Sequence, residues 1–471
     1  MTAISGFGQW VTLHGLIVML GLAVYVIASH TLHQRRHPSA AVAWVVALVL
    51  LPYVTLPLYL MFGRRKLVPH RLPARTPPSA TLPSGPDSPA ARTQQLAAAM
   101  ALPAAATYRQ MQIHEDGGQA LQVLRNMIGA ATRTLDLCTF VFGRDGLGNE
   151  IAERLKQRAR DGIRVRLLVD GVGAYLAGHP AFKSLSAAGV QVALFVPPLR
   201  STLQGRTNLR NHRKMVIADR DWFWCGGRNL ATEYFEGDLS ADRTKAPWVD
   251  LSFDLHGAVA LQAQQQFEQD WQFATQGIRA RPSSPIDPIW QEGAAIGQLI
   301  ASGPDQVEDT LHTLLVSGFF MSRRRILAVT PYFVPEPTLL MSLTLAARRG
   351  VAVDLLMPGK SNHRLADLAR HRALRELVAA GAHVWLSPQM IHAKAVVIDD
   401  ELALAGSANL DQRSLFLNYE LMVAFYMPSE VERFARWLER QRNASTRHLP
   451  QPAGLLREIA EGLLLWLAFQ L

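Results

Sequence analysis

The chain has 471 residues, of which 49% are apolar and only 18% charged, with a formal net charge of +10 and two cysteines. That much apolar material excludes a disordered polymer, because large cores can form. Cys138 and Cys225 sit in apolar, strand-like runs with no CxxC or Cys/His spacing, which excludes a disulfide framework or a zinc site, while the basic balance suits a polyanionic partner, either nucleic acid or an anionic membrane surface.

Residues 1–86 hold no Asp or Glu, yet carry Arg35, Arg36, Arg64, Arg65, Lys66, Arg71 and Arg75. Two uncharged apolar runs lie in the same stretch, Val11 to Ser29 and Ala40 to Gly63. The second is long enough, as a helix, to cross a hydrocarbon core of ~30 Å. Two transmembrane helices are predicted, at about 11–29 and 40–62, forming a membrane anchor over residues 1–66. A signal peptide would need Lys or Arg before its apolar core, and the first here is Arg35. Pro52 and Pro57 would kink the second helix. The larger basic cluster follows the second run, which favours the cytoplasmic side for everything downstream.

Residues 67–103 read as a proline-rich linker, with seven prolines from Pro69 to Pro89. From about residue 104 the pattern is α/β. Strands are expected at Leu135 to Phe142, Ile163 to Val169 and Val190 to Val196, with Gly162 and Gly189 as helix stops. The order then repeats: Arg325 to Val329, a helix over Leu339 to Arg349 stopping at Gly350, a strand Val351 to Met357, and His383 to Leu386 after Gly381. Two domains of one design are predicted, at 104–285 and 286–449, sharing a site at their interface. The tail, 450–471, reads as an apolar or amphipathic helix, either dipping into a membrane interface or docked on the core.

Each half carries HxKxxxxD followed by a turn and an asparagine. The first copy is His212, Lys214, Asp219 and Asn229; the second is His392, Lys394, Asp399 and Asn409. Lys stands at His+2, so in a strand both side chains share one face. Brought together, two imidazoles and two ammonium groups suit a phosphodiester. Lys and Asn can hold its non-bridging oxygens; one imidazole can attack phosphorus and the other protonate the leaving oxygen. Lysine charge can replace a metal ion there, and no cofactor is expected. An isolated charge at Lys394, in an otherwise apolar run, would be costly. Asp219 and Asp399 are counted with the catalytic set, although at strand ends they could instead shape the turn or pair with lysine. Asp250 and Glu420 are the candidate carboxylates for orienting the histidines.

The paired motifs resemble the phospholipase D superfamily. The run from Arg35 to Gly63, the Arg210-Asn211-His212-Arg213-Lys214 segment and the stretch Gly406 to Glu420 are similar to bacterial cardiolipin synthases. The resemblance implies two duplicated phospholipase D-like α/β domains around a pseudo-twofold axis, preceded by an N-terminal transmembrane helical hairpin. It implies metal-independent transfer of a phosphatidyl group, joining two phosphatidylglycerols into cardiolipin and glycerol, in a bacterial inner membrane. His212 would be the phosphohistidine nucleophile and His392 the acid and base, the reverse assignment staying open. Lys214, Lys394, Asn229, Asn409 and Ser407 would bind phosphate. A hydrolase, or a transferase with another phospholipid donor or alcohol acceptor, is the alternative. A nuclease of the same superfamily fits the charge but not the hairpin. The first copy departs from the family pattern at Ala218 and Arg220. It has Gly227 where the second has Ser407, and a charged insert from Gly237 to Lys245 follows.

Overall fold

Pro52 decides the shape of the second apolar run. A proline ring removes a backbone donor and clashes with the preceding turn, so it kinks or breaks a helix; Pro57 is carried inside one, whereas the chain breaks just before Pro52. In the computed structural model the run is two helices, Pro38–Leu50 and Pro52–Phe62, interrupted at Leu51, with Pro52 opening the second. The first run lies in the helix Thr2–Thr31. The structure describes residues 2–31, 38–63, 66–67, 88–178, 182–197, 207–235, 246–277, 295–454, 458 and 461–462. Among these no helix is long and apolar enough to cross a membrane, so the two predicted spans are corrected to three helices, none of which meets that measure.

These helices belong to the smaller of two units, Met1–Leu72 with Val196–Leu209 and Pro304–Val307. Inside it, the Tyr59 ring packs on Tyr25 and Trp44, with centroids 5.4 and 5.2 Å apart. Most large apolar side chains exposed among the described residues lie here, from Leu13 to Leu58. The charged insert 237–245 lies outside the described residues, as does most of the predicted linker, which overlaps them only at its two ends. Its last part is a helix, Pro89–Ala99, capped by the Ser88 hydroxyl accepting from Ala91 N at 3.0 Å. Pro89 is therefore the first residue of a helix rather than a linker proline. The C-terminal tail is described only in part. There Glu461 is buried and accepts from Arg375 Nη1 at 3.1 Å, a docked position.

The larger unit, Pro73–Phe195, Arg210–Gly303 and Glu308–Leu471, carries one sheet of sixteen strands among the described residues. Its order shows the duplication. From the centre outward, the first half runs Ala106–His114, Ser252–Gly257, Trp222–Gly226, Met215–Ala218, Thr134–Thr139, Arg164–Asp170 and Gln191–Phe195. The second half runs Ala295–Ser302, Asn418–Phe425, Leu402–Gly406, Ala395–Ile398, Arg325–Val329, Ala352–Pro358 and His383–Ser387. The two halves meet antiparallel, Thr107 opposite Ile296. The outer three strands of each half are parallel, and the middle strand of each three, Arg164–Asp170 or Ala352–Pro358, is buried beyond its first residue, as a strand covered on both faces must be. Helices stop at Gly162, Gly350 and Gly381, whose φ of +86°, +88° and +102° favour glycine. Each half has its own core, around Leu124, Leu137 and Leu167 in the first and Leu314, Leu355 and Leu377 in the second. Both motif strands, Met215–Ala218 and Ala395–Ile398, are wholly buried, so only their leading ends can meet a ligand.

Candidate active site

Just before each motif strand the chain crosses to the other half. The short strand Arg210–Asn211 pairs parallel with Asn418–Tyr419, and His212 N donates to Tyr419 O at 2.9 Å. In the mirror arrangement Ile391 bridges to Val249, and His392 N donates to Val249 O at 2.7 Å. Both imidazoles thereby reach one cavity of about 650 Å³, also lined by Asn229 and Asn409.

The crossing exchanges the carboxylates. His212 Nδ1 lies 3.0 and 3.1 Å from the oxygens of Glu420, which belongs to the second half. His392 Nδ1 lies 2.8 Å from Asp250 Oδ2, which belongs to the first. Burial works to raise both carboxyls. The facing imidazole, the bond to it and the lysines outweigh burial, so both stay below the usual carboxylate range. An ionised carboxylate can only accept, so each Nδ1 carries the proton and each Nε2 keeps its lone pair. Burial, helped by the lysine charges, pushes His212 down to about 4 and His392 to about 3. Both rings are therefore neutral at pH 7.

Each lysine turns back on its own histidine. Lys214 Nζ donates to His212 O at 2.7 Å, while Lys394 Nζ donates to His392 O and sits 2.8 and 2.9 Å from that ring's nitrogens. Burial lowers Lys214 to about 8 and Lys394 to about 7, against the pull of Glu420 and Asp250. The two ammonium groups are thus poised to gain charge stabilisation from an incoming anion.

The amides differ. Asn229 donates to the Tyr234 hydroxyl at 2.7 Å and accepts from Val141 N at 3.3 Å; Asn409 keeps a buried Oδ1 with no hydrogen-bond partner. Ser407, expected on phosphate, is fully buried and lies outside the cavity lining. Its hydroxyl donates to Glu420 Oε2 at 2.5 Å and accepts from Leu421 N at 3.0 Å, so it holds the carboxylate. Asp219 and Asp399 are also away from the cavity. Asp219 accepts from the backbone N–H groups of Thr132, Arg133 and Thr134, and Asp399 from those of Arg323, Arg324 and Arg325. Each carboxylate caps the bend entering a neighbouring strand and is already saturated.

Other residues escaped the sequence reading. Arg210 and Arg413 line the cavity beside His212, while Tyr234 and Trp248 pack on the His392 ring at 5.1 and 5.5 Å. Buried Arg213 binds Asp270, Glu420 O and Ser302 O, fixing the crossing segment. A charged residue between the motif His and Lys was the available signal for Arg213; nothing comparable marked Tyr234. Among the described residues no cluster of three or more His, Cys, Asp or Glu could hold a metal ion.

The sequence matches the family described as cardiolipin synthase, PLD-like domain, over residues 124–271 and 317–442, and a phospholipase D-nuclease N-terminal family over 18–64. It is 30% identical over 427 residues to cardiolipin synthase A of Pseudomonas aeruginosa, covering 86% of this chain and 85% of that one. It is 29% identical over 458 residues to a cardiolipin synthase of Geobacillus kaustophilus, covering 94% and 90%. The fold is similar to that of phosphatidylserine synthase from Haemophilus influenzae, with a TM-score of 0.60 at 14% identity over 82% of this chain and all of that one.

Proposed function

The chain belongs to the phospholipase D-like cardiolipin synthase family, and we propose that it joins two phosphatidylglycerol molecules into cardiolipin and glycerol through a phosphohistidine. The observation that carries this is the pair of neutral imidazoles, each held by the opposite half's carboxylate, on one cavity. His212 is the nucleophile: its side chain is 13% exposed against 4% for His392. Its Nε2 attacks phosphorus, an N–P bond forms and the P–O bond to glycerol breaks. His392, protonated once the anionic diester is bound, gives its proton to the departing oxygen. A hydroxyl of the second phosphatidylglycerol then loses its proton to His392 and attacks phosphorus, and the N–P bond breaks. Lys214, Lys394, Asn229 and Asn409 hold the non-bridging oxygens while charge builds.

The location is a bacterial inner membrane, with the catalytic domains, related by a pseudo-twofold axis, on its cytoplasmic side. The three apolar N-terminal helices embed in the bilayer as the anchor. Their exposed apolar side chains support this, as does the basic cluster after them. The same intermediate could meet water or another alcohol.

Purified enzyme given phosphatidylglycerol alone should release cardiolipin and glycerol one to one. Phosphatidic acid as the main product would make it a hydrolase instead, and no product from a folded preparation would reject the reading. With an activated leaving group that needs no proton, His392→Ala should trap the phosphatidyl label on His212. Label trapped in His212→Ala would reverse the assignment.

A further inference from the structure

Outside the N-terminal helices, few large apolar side chains stand exposed among the described residues, and four of them gather on two short helices. Tyr175 and Leu176, 63% and 68% exposed, end the helix Gly171–Leu176. Leu365 and Leu368, 44% and 53% exposed, lie on the helix Arg364–Ala369. The two helices occupy equivalent places in the duplication. One follows the strand Arg164–Asp170, the other the strand Ala352–Pro358, the matching positions in each half of the sheet. Both contribute to the lining of the catalytic cavity, through Leu176 and Ala366.

Neither helix is loose. Asp170 caps the first through Val172 N and Gly173 N, and its buried side is Gly171, Gly173 and Ala174. The second is capped by His363, and Ala366 and Ala369 pack with Val334 and Tyr332. Small residues face inward and large apolar ones outward, the reverse of what a solvated helix requires. Cations flank the patch. Arg144, Lys360 and Arg364 are exposed. The nearby acids are already engaged: Asp145 accepts from Gly148 N and Thr232 N, and Asp367 pairs with Arg370.

We propose that these two rim helices form a docking face for a bilayer rich in anionic phospholipid, entered by Tyr175, Leu176, Leu365 and Leu368 and attracted by Arg144, Lys360 and Arg364. The proposal rests on the lipid-transfer function given above and adds the surface through which that site meets its substrate. Apolar tips between cationic side chains match a lipid interface, where tips enter the acyl boundary and cations meet phosphate. A face on both sides of the cleft also lets a lipid headgroup enter while its acyl chains stay in the bilayer.

The test uses the full-length chain with Tyr175→Ser, Leu365→Ser and Leu368→Ser combined, none of which lines the cavity. Activity is measured on phosphatidylglycerol in reconstituted vesicles and on short-chain phosphatidylglycerol dissolved as monomers. The expected result is a loss of tenfold or more on vesicles, with the monomer rate within twofold of wild type. Equal loss on both, as from misfolding or a disrupted contact between two copies, or no loss on either, overturns the proposal. A second readout does not depend on turnover. A fluorophore on Leu368→Cys, the native cysteines being buried, should be quenched by brominated lipid in anionic vesicles. Lys360→Gln with Arg364→Gln should weaken that quenching at least twofold, and fluorescence indifferent to bromination overturns the proposal. If wild type makes no cardiolipin from either substrate, the transfer reading fails while the quenching result still decides the docking face.

Discussion

At the scale of the single residue, the histidines set the pH behaviour. Their ordinary value is about 6.5, while in the fold His212 lies at about 4 and His392 at about 3. The unfolded chain therefore takes up protons first as acid is added. Stability is fullest at neutral pH and falls as pH drops through roughly 6.5 to 3. Denaturation midpoints at pH 7, 5.5 and 4.5 should decline, and His212→Gln with His392→Gln should flatten that decline. The same lowering keeps the nucleophile's lone pair free, so the acid limb of kcat/KM should lie below pH 6. At the alkaline end Lys394 and Lys214 lose their charge as pH passes about 7 to 8, and KM should rise there. Asp219 makes a contrast. Its carboxylate serves three backbone N–H groups and no substrate, so Asp219→Asn should cost about 1–3 kcal/mol of stability. Its kcat should stay within a few-fold of wild type, checked by parallel unfolding and turnover measurements. A motif aspartate at a fixed distance from histidine is visible in sequence, and its place at a strand end already points to a turn-shaping role; which backbone it caps is not visible, because spacing does not reveal which neighbour the turn faces.

Between residue and fold, the elements place the rings through close approaches that only small residues permit. A Cβ on Gly173 would lie 1.7 Å from Phe140 O, a backbone atom that cannot swing aside. The Phe140 ring stands 5.3 Å from the His212 ring. Gly173→Ala should therefore destabilise by about 1–3 kcal/mol and lower kcat by shifting His212, read from thermal unfolding beside turnover. Elements with a strong local signal were legible: the buried strands Arg164–Asp170 and Ala352–Pro358, and the helix ends at Gly162, Gly350 and Gly381. Others were hidden by competing signals. Pro52 signalled a kink, but the uncharged apolar run around it hid that the helix breaks outright at Leu51, and the helix Pro89–Ala99 was hidden by a proline count that included its own first residue. The two-residue strand Arg210–Asn211 is too short to carry any periodicity, yet it brings His212 across.

For the whole molecule, the consequence of duplication is an exchange that makes neither half complete. The first half holds His212 but borrows Glu420; the second holds His392 but borrows Asp250. The paired motifs made a shared cavity legible, since two histidine–lysine pairs of one design imply one site. Which carboxylate serves which ring was not legible, because each acid follows its own half's motif in sequence and the crossing occurs only in space. The exchange also extends to packing: Gly227 leaves room for Asp250, where a Cβ would come within 2.2 Å of Oδ1, while its counterpart Ser407 binds Glu420. The two carboxylates are thus held differently, Asp250 by the backbone N–H of Leu251 in the space that Gly227 leaves, and Glu420 by the Ser407 hydroxyl and the Asn418 amide. Removing either should lower kcat by about 10²–10⁴, as loss of an orienting acid does elsewhere. Magnitude alone cannot separate the exchanged arrangement from an unexchanged one, since both lose an orienting acid; the identity of the perturbed ring can. In Glu420→Gln the NMR resonances of His212 should move and its pKa should fall further, because the charge that pulled it upward is gone, while His392 holds nearly still. Asp250→Asn should do the reverse. A Glu420→Gln protein in which His392 responds and His212 does not would return each carboxylate to its own half.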